Sequence, residues 1–246
     1  MGSVRVVFLG TGDAFSAGGN HQAAYLVQSP AITFLLDCGA TALASLKRAS
    51  IPSGPIDTIL VSHLHGDHFA GLPFFFLEYA HIEPRRRPLH IAGPIQTRER
   101  VTSLCEAMYP GALRELPFEL DFIEMQPDQR LQVGPLAVDP FCVPHQEGQV
   151  SLGLNLEVAG KKITYSGDAG WTEELISRSM NADLFICESS FYETRIPSHL
   201  DYLRLIENRG RLSSKRLVLT HLGNEVHAHR SEIDMELAYD GLIVDL

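Results

Sequence analysis

The chain has 246 residues, enough for one large domain or two small ones with a sizeable buried core. With 45% hydrophobic and 20% charged residues, its composition is that of an ordinary globular protein. The formal net charge of −10 argues against nucleic acid as a partner, because such surfaces usually carry a basic stripe. We find no secretory leader and no run of about eighteen apolar residues, so we expect a cytoplasmic location and no membrane partner.

Short apolar, β-branched runs that end at Gly, Asp or His predict strands along the whole chain. In chain order they are VRVVFLGTG, AITFLLDCG, DTILVSHLHGD, PLHIAG, LAVDPFCVPHQ, SLGLNLEVAGKKITYSGD, ADLFICESS and KRLVLTHLG. Helices are predicted in ATALASLKRAS, PIQTRERVTSLCEAMYPG, WTEELISRSM and HLDYLRLIENRG, with starts at Pro94 and Trp171 and an end at Gly210. This alternation predicts a mixed α/β fold. Because no linker divides the chain, we expect a single domain over residues 1–246.

Four cysteines lie far apart in the chain, without a C-x-x-C pair. Because each lies within or beside apolar sequence, we expect buried, reduced thiols at Cys38, Cys105, Cys142 and Cys187. The basic run Arg85–Arg87, before Pro88, is interpreted as a solvated turn.

Polar residues of types that serve in catalysis and metal binding follow the predicted strands at corresponding positions. The sheet of an α/β protein fixes such side chains while the loops stay open, so these positions favour a functional site. The residues at the carboxyl ends of strands are Asp37, His63, His145, Asp168, Glu188 and His221.

The segment ILVSHLHGDHFAGLP places three imidazoles and one carboxylate within six positions. In an extended backbone His63 and His65 point the same way, so the two can bind one ion. Asp67 and His68 follow the turn at Gly66 and can face a second ion. Nitrogen and carboxylate ligands suit zinc first, with manganese or iron as rivals.

This cluster does not fill two coordination spheres, so further ligands must come from elsewhere. His145 in VPHQ, Asp168 in YSGDAG and His221 in LTHLG are the natural candidates. We expect Asp168 to bridge the two ions, because a carboxylate can span the roughly 3.5–4 Å of a two-metal site.

In order and context, these residues resemble the motifs of the metallo-β-lactamase superfamily. The segments FLGTGDAF, LLDCGA and SHLHGDHFAGLP are most similar to its ribonuclease Z-like branch, and the likeness covers essentially the entire chain. The resemblance implies an αββα four-layer sandwich with a dinuclear site along one edge. It also implies that Asp37 supports the metal ligands, and it leaves a homodimer open. The implied metal ligands are His63, His65, Asp67, His68, His145, Asp168 and His221.

Residues that differ between branches of the superfamily narrow the range of functions expected for this chain. The second motif position is His65, where the flavodiiron oxidoreductases have Glu, which disfavours redox iron. Asp168 is present and no cysteine occupies a ligand position, which disfavours antibiotic hydrolysis. Glu188 and His199 resemble the proton-relay pair of ribonuclease Z and related phosphodiesterases, in which a carboxylate orients a histidine that protonates the leaving alkoxide.

Transfer-RNA processing is disfavoured by the length between two of the motifs. Ribonuclease Z carries a long tRNA-gripping arm between the third and fourth metal motifs. Here a single predicted hairpin, with Gly160 in its turn, separates His145 from Asp168. An acidic chain without this arm is poorly suited to bind tRNA, so a small molecule is the expected partner.

The sequence therefore predicts a metal-dependent hydrolase with a dinuclear centre, zinc by first preference and Mn²⁺ or Fe²⁺ as alternatives, acting through a bridging hydroxide on a small phosphodiester. The expected catalytic residues are Asp67, His199 and Glu188. Hydrolysis of a lactone, thioester or amide is the main alternative, tRNA 3′ processing a lesser one, and a non-enzymatic binding module with a decayed site belongs to a different class. Specificity is expected in loops 13–21, 79–88 and 195–199. His21, His81 and His90 are interpreted as ordinary, and His227 and His229 as residues of an exposed loop.

Overall fold

The computed structural model describes residues 3–246, which form strands and helices in alternation along the chain. The strands are β1 (Arg5–Gly10), β2 (Ala24–Gln28), β3 (Thr33–Leu36), β4 (Ile56–Leu60), β5 (Leu89–Pro94), β6 (Leu120–Met125), β7 (Leu131–Val133), β8 (Leu136–Cys142), β9 (Leu152–Val158), β10 (Lys161–Tyr165), β11 (Leu184–Glu188), β12 (Leu217–Thr220), β13 (Glu236–Leu237) and β14 (Ile243–Asp245). The α-helices are α1 (Ala42–Arg48), α2 (Gly66–Phe69), α3 (Leu72–His81), α4 (Thr97–Met108), α5 (Glu174–Ser179), α6 (Tyr202–Glu207) and α7 (Asn224–Ala228).

The strands form two sheets of seven strands each. The first has the order β14-β1-β2-β3-β4-β5-β6 and the second the order β13-β12-β11-β10-β9-β8-β7. Each sheet has an antiparallel part, and β3 to β6 in the first and β10 to β13 in the second run parallel. The carboxyl ends of the parallel strands of one sheet therefore lie along one edge.

The alternation of side chains along the strands separates three apolar cores. Val6 and Phe8 face the second sheet, in a core that also holds Leu154 and Ile163. On the opposite face of β1, Val7 and Leu9 belong to a second core, covered by residues of α1, α3 and α4. Residues of α5, α6 and α7 cover the outer face of the second sheet in a third core. This four-layer arrangement confirms the predicted αββα sandwich.

Strands β9 and β10 form the hairpin that was predicted between His145 and Asp168. Ala159 and Gly160 form its turn with positive φ angles of 49° and 77°. A two-residue turn of this kind matches the right-handed twist of the strands it connects. The segment between His145 and Asp168 therefore holds this hairpin and short connections.

Two of the predicted helix starts were wrong. Pro94 ends strand β5, paired with Met125 of β6, and α4 begins at Thr97. The residues after Trp171 form a turn in which the Thr172 carbonyl accepts from Leu175 N at 3.2 Å, so that α5 begins at Glu174. Helix α6 ends at Glu207, and the predicted end at Gly210 lies in a following 3₁₀ turn.

Two burial predictions also need correction. Cys142, the last residue of β8, is exposed, whereas the other three cysteines are buried, and all four are free thiols. Arg85 is buried rather than solvated, because its guanidinium donates to the carbonyl of Ile56 at 2.7 Å and of Pro88 at 2.6 Å. A buried guanidinium needs such partners, and here it anchors the loop before β5.

The prediction of one domain over residues 1–246 stays a prediction, and its first two residues lie outside those that the structure describes. Among residues 3–246, none of the helices combines the length and the apolar character that crossing a membrane requires.

Gly71, between α2 and α3, lies where the backbone of the β3–α1 loop comes closest. A Cβ added there would lie 2.3 Å from the Gly39 carbonyl oxygen and 2.8 Å from that of Cys38. We expect Gly71→Ala to lower the free energy of unfolding by about 1–3 kcal/mol, because the backbone must shift. Urea unfolding measures this change. Gly210→Ala, whose added Cβ meets nothing within 4 Å, should change it by less than about 0.5 kcal/mol. Equal losses in the two variants would contradict the close approach at Gly71.

Candidate metal centre and active site

The predicted ligands meet at the edge of the sandwich where strands of both sheets end. His63 follows β4, and α2 carries Asp67 and His68. From the second sheet, Asp168 follows β10 and His221 follows β12. The structure thus brings together residues that are far apart in the chain, and they form two groups around one shared carboxylate.

The first group consists of His63, His65, His145 and Asp168. Nδ1 of His65 lies 3.1 Å from Nε2 of His63 and 2.9 Å from Nε2 of His145. Oδ2 of Asp168 lies 3.7 Å from each of these two Nε2 atoms. Ligands about 2.0–2.1 Å from a tetrahedral zinc ion lie roughly 3.4 Å from one another, so this spacing suits one small cation.

The second group consists of Asp67, His68, Asp168 and His221. Oδ2 of Asp67 lies 3.3 Å from Nε2 of both His68 and His221. Asp168 approaches the same two rings, at 3.3 Å from His68 Nε2 and 3.4 Å from His221 Nε2. This spacing again suits one cation.

Two buried atoms in the second group have no hydrogen-bond partner within residues 3–246. They are Nε2 of His68 and Oδ1 of Asp168, which lie 3.3 Å apart without the geometry of a hydrogen bond. Buried polar atoms are rarely left unpaired, so two of them facing each other among further ligands require an additional partner. A divalent cation fits this donor set of imidazole nitrogen and carboxylate oxygen.

Hydrogen bonds on the far side of each ring set the tautomers of the ligands. Nδ1 of His68 donates to Asp37 at 2.7 Å, and Nδ1 of His145 donates to the carbonyl of Ser198 at 2.8 Å. The Nε2 atoms of these rings therefore face the ligand groups, where they are the atoms that would bind a cation. His65 is the exception, because its Nδ1 faces its group.

Two serine hydroxyls extend this pattern, and sequence reasoning missed both. Ser62 Oγ donates to Asp37 at 2.8 Å and lies 3.1 Å from Nδ1 of His63. Ser190 Oγ donates to Glu188 at 2.7 Å and lies 2.9 Å from Nδ1 of His221. Each hydroxyl uses its proton on a carboxylate, so it accepts the Nδ1 proton of a ligand histidine. Each serine lies two residues after the last residue of a strand, Leu60 of β4 or Glu188 of β11, and this position was the available signal.

The Asp37 carboxylate is fully buried and collects hydrogen bonds from both sheets. It accepts from the backbone and hydroxyl of Ser62, from His68, and from the Tyr165 hydroxyl at 2.6 Å. Burial and the neighbouring Asp37 charge raise the pKa of Tyr165 well above its ordinary value, so the phenol stays protonated and donates. Asp37 itself has a positive φ of 56°, an uncommon backbone conformation that turns its side chain toward the ligands.

His199 lies beside the second ligand group and is held by Glu188. Its Nδ1 lies 3.0 Å from Oε1 of Glu188 and 3.2 Å from Oγ of Ser190. Its ring is parallel to that of His221, with centroids 5.8 Å apart, and meets His145 edge-on at 4.7 Å. Burial lowers the pKa of His199, but the Glu188 carboxylate outweighs this and raises it to about 9. The pair is thus a protonated imidazole on a buried carboxylate.

Burial and charge act on the ligands in opposite directions. Burial, reinforced by the nearby His68, lowers the pKa of His63 well below its ordinary value, which keeps the ring neutral and able to bind a cation. Burial raises the pKa of Asp168, but the neighbouring His221 and His68 lower it by more. The pKa is therefore well below its ordinary value, and the carboxylate stays ionised. Metal binding requires neutral imidazoles and ionised carboxylates, a state that His63 and Asp168 already have. Burial lowers the pKa of His68 and of His221, but the Asp168 carboxylate outweighs this and raises both, so a bound cation would displace protons from these two rings.

A cavity of about 480 Å³ opens onto these groups. Its floor consists of His65, Asp67, Asp168 and His221, with Ser190 and His199 beside them, and its walls come from Phe191 and from segments 13–15 and 223–225. Neither Lys nor Arg occurs among the described residues that line it. A larger groove of about 580 Å³ at the β7–β10 end of the second sheet contains none of these groups.

Three further histidines, His21, His227 and His229, contact residues of the loops near the site. Nδ1 of His21 lies 2.8 Å from Ser45 Oγ. His227 and His229 are half-buried rather than on an exposed loop: His227 lies at the end of α7 against Gly18, and the His229 ring stacks on Tyr192 at 4.1 Å.

A sequence model of the family described as Anti-Pycsar protein Apyc1 matches residues 4–240 of the chain. The chain belongs to this family.

A relative and two solved structures are similar to this chain over most of its length. Ribonuclease Z from Lachnoclostridium phytofermentans is 26% identical, over 88% of this chain and 86% of that protein. The crystal structure of the human short-form tRNase Z superposes with a TM-score of 0.80 at 24% identity and covers 98% of both chains. That of the metallo-β-lactamase fold protein YhfI from Bacillus subtilis gives a TM-score of 0.79 at 23% identity, covering 99% of this chain and 100% of that one.

These findings confirm the predicted superfamily and branch. The chain is a metallo-β-lactamase fold protein of the ribonuclease Z-like branch, and the expectation of a metal-dependent hydrolase is confirmed with it.

We expect the purified protein to carry about two divalent ions per chain, because the two groups each suit one ion. Asp168→Ala removes the carboxylate common to both groups. The variant should therefore lose the ion binding that depends on this shared ligand, and nearly all activity. Elemental analysis measures the ion content. Asp121→Ala removes an exposed carboxylate that pairs with His90 far from the cavity and should leave the content unchanged. One ion per chain in the parent protein would contradict a shared Asp168.

Proposed function

We propose that this chain is a phosphodiesterase that hydrolyses a small phosphodiester. The observation that carries the proposal is the Glu188–His199 pair, a protonated imidazole on the wall of the cavity that contains the ligand groups. Hydrolysis of an ester with a poor leaving group needs a proton at the departing oxygen, and this pair supplies a donor. The family description names an anti-Pycsar protein. We propose that this chain also has an anti-Pycsar role and that it performs this role by hydrolysing a phosphodiester.

The residues would hold two divalent ions, zinc by first preference. His63, His65 and His145 would hold one, and Asp67, His68 and His221 the other, with Asp168 between them. Imidazole and carboxylate ligands in groups of four are the donor set that zinc prefers, with Mn²⁺ and Fe²⁺ as alternatives. When bound, such ions lower the pKa of water to about 7 and offset charge on the phosphoryl oxygens.

Asp67 would act on the oxygen of the attacking water, and His199 on the oxygen of the leaving group. Asp67 lies on the cavity floor, where its carboxylate can accept a hydrogen bond from the attacking water and orient it. His199 uses Nδ1 on Glu188 and Ser190, and no hydrogen bond within the described residues occupies its Nε2. Nε2–H can therefore donate its proton to the leaving alkoxide.

The cavity favours a small substrate of low charge. Its volume, about 480 Å³, is in the usual range for small-molecule sites. Because no Lys or Arg among the described residues lines it, positive charge there would come only from ions held by the ligand groups and from the protonated His199. A phosphodiester carries one negative charge, whereas a monoester or a diphosphate carries more, so the diester is the better match.

The deciding assay compares two substrate classes on the metal-loaded protein. We expect turnover of bis(p-nitrophenyl) phosphate to exceed that of every member of a panel of lactones, thioesters and amides. Carbonyl substrates can use the same ligand groups but do not need His199 as an acid when the leaving group is stable. A higher kcat/KM for any carbonyl substrate would overturn the proposal, and metal binding without turnover of either class would favour a binding module.

His199→Ala should slow hydrolysis in a way that depends on the leaving group. Diesters with alkoxide leaving groups should slow by about 10²–10⁴-fold, while p-nitrophenyl esters, whose leaving group needs little protonation, should slow far less. The measurement is the ratio of the two rates in parent and variant, with metal content checked alongside. Glu188→Gln should show the same selectivity more weakly, because it disorients the imidazole without removing it.

His90→Ala provides the matched control for this experiment. His90 also pairs with a carboxylate, at 2.9 Å from Asp121, but lies outside the cavity, so both rates should stay at the parent level. Equal slowing of the two substrates in His199→Ala would contradict the assignment of His199 as the acid.

Precursor tRNA should be a poor substrate. The chain has a net charge of −10, and a single hairpin fills the space between His145 and Asp168 where ribonuclease Z carries its arm. We expect cleavage at the tRNA 3′ end to be slower than hydrolysis of a small diester at the same enzyme concentration. Gel assays over a range of salt concentration measure this. Fast cleavage that weakens steeply with salt would contradict the assignment of a small substrate.

A further inference from the structure

Phe15 is the most exposed of the large apolar side chains within residues 3–246. Its side chain is 87% exposed, compared with 66% for Ile82, the next in order. Single exposed apolar residues are common and carry no meaning alone. Phe15 differs from Ile82 in its position, because it lines the cavity above the ligand groups together with Asp13, Ala14 and Phe191.

The loop that carries Phe15 is fixed by its own hydrogen bonds. Oδ1 of Asp13 accepts from the backbone of Phe15 at 3.1 Å and of Ala17 at 2.9 Å. Ser16 takes a left-handed conformation, with φ of 56°, which turns the chain directly after Phe15. The aromatic ring is thus held out on a short, ordered turn.

Both ends of the loop are attached to one carboxylate on the opposite end of the chain. Asp240 accepts from the backbone of Thr11 at 3.0 Å and of His21 at 2.7 Å. The middle of the loop packs on α7, since a Cβ at Gly18 would lie 2.6 Å from Nε2 of His227. These contacts prevent the loop from folding back to bury the ring, so the ring stays exposed until something in the cavity covers it.

We propose that Phe15 is a specificity-determining residue that stacks on a planar aromatic or heteroaromatic group of the substrate. The inference deepens the proposed function, since it names the organic group that accompanies the phosphodiester. Stacking fits the surroundings because no Lys or Arg among the described lining residues is available to bind a polar organic group, while the rim offers the exposed ring of Phe15 and the half-buried ring of Phe191. Planar groups covered by an aromatic side chain gain both apolar burial and ring–ring attraction.

The test compares two ligands, one with a planar aromatic ring and one with the corresponding saturated ring. Benzyl(methyl)phosphinate and cyclohexylmethyl(methyl)phosphinate carry one negative charge, similar apolar volume and no ester bond, so neither can be hydrolysed. Titration calorimetry on the metal-loaded protein measures their dissociation constants. We expect the benzyl compound to bind more tightly by about 2- to 10-fold, because aromatic pairs gain attraction beyond the apolar burial that both compounds share.

Two substitutions separate stacking from general apolar contact. Phe15→Leu keeps an apolar side chain and should abolish the preference for the benzyl compound, while Phe15→Trp should retain it. Ile82→Ala removes an exposed apolar side chain outside the cavity lining and should leave both constants unchanged. Because Phe15 is exposed, its variants should match the parent in urea unfolding.

The outcomes distinguish this inference from the proposed function. A parent protein that binds the two phosphinates equally, or a Phe15→Leu variant with the parent's preference, would overturn the role of Phe15. A preserved preference in a protein that hydrolyses carbonyl substrates and no phosphodiester would overturn the proposed function and leave the role of Phe15 intact. Loss of both would overturn both.

Discussion

The hydrogen bonds of one buried carboxylate, Asp37, determine how the two sheets meet. Its oxygens bond to Ser62 and His68 on the first sheet's side and to Tyr165 at the end of β10 in the second sheet. A buried charge is costly unless every lone pair is used, and this one accepts four hydrogen bonds. The relative position of the sheets is therefore fixed at the place where the ligand residues of both sheets must meet.

The same arrangement recurs at the other side of the site, with Glu188 in the place of Asp37. A serine hydroxyl connects each carboxylate to a ligand histidine, Ser62 to His63 and Ser190 to His221. Glu188 has the further task of holding His199. One type of contact thus serves two purposes, since the carboxylate that fixes a ligand tautomer also keeps a neighbouring imidazole protonated.

The sequence predicts the layers and the ligand groups well, because both depend on local patterns. Alternating apolar residues indicate the strands, and a polar residue directly after a strand lies at the sheet edge whatever its partners are. Ser62, Ser190 and Tyr165 escape this reasoning, because their roles depend on contacts across the sandwich. The helix start at Pro94 failed for a similar reason: pairing with β6 extends the strand through it. The exposure of Phe15 is likewise a tertiary property that its neighbours in sequence do not reveal.

Each ligand group takes two residues from each half of the chain. His63 and His65, or Asp67 and His68, come from the first sheet, and the others from the second. Neither half can assemble a complete group, and the contacts between them span long stretches of sequence, whose closure costs entropy and slows folding. A newly synthesised or partly unfolded molecule therefore lacks the centre altogether. The capacity for chemistry appears only with the final docking of the sheets, so it reports the intact sandwich rather than any of its parts.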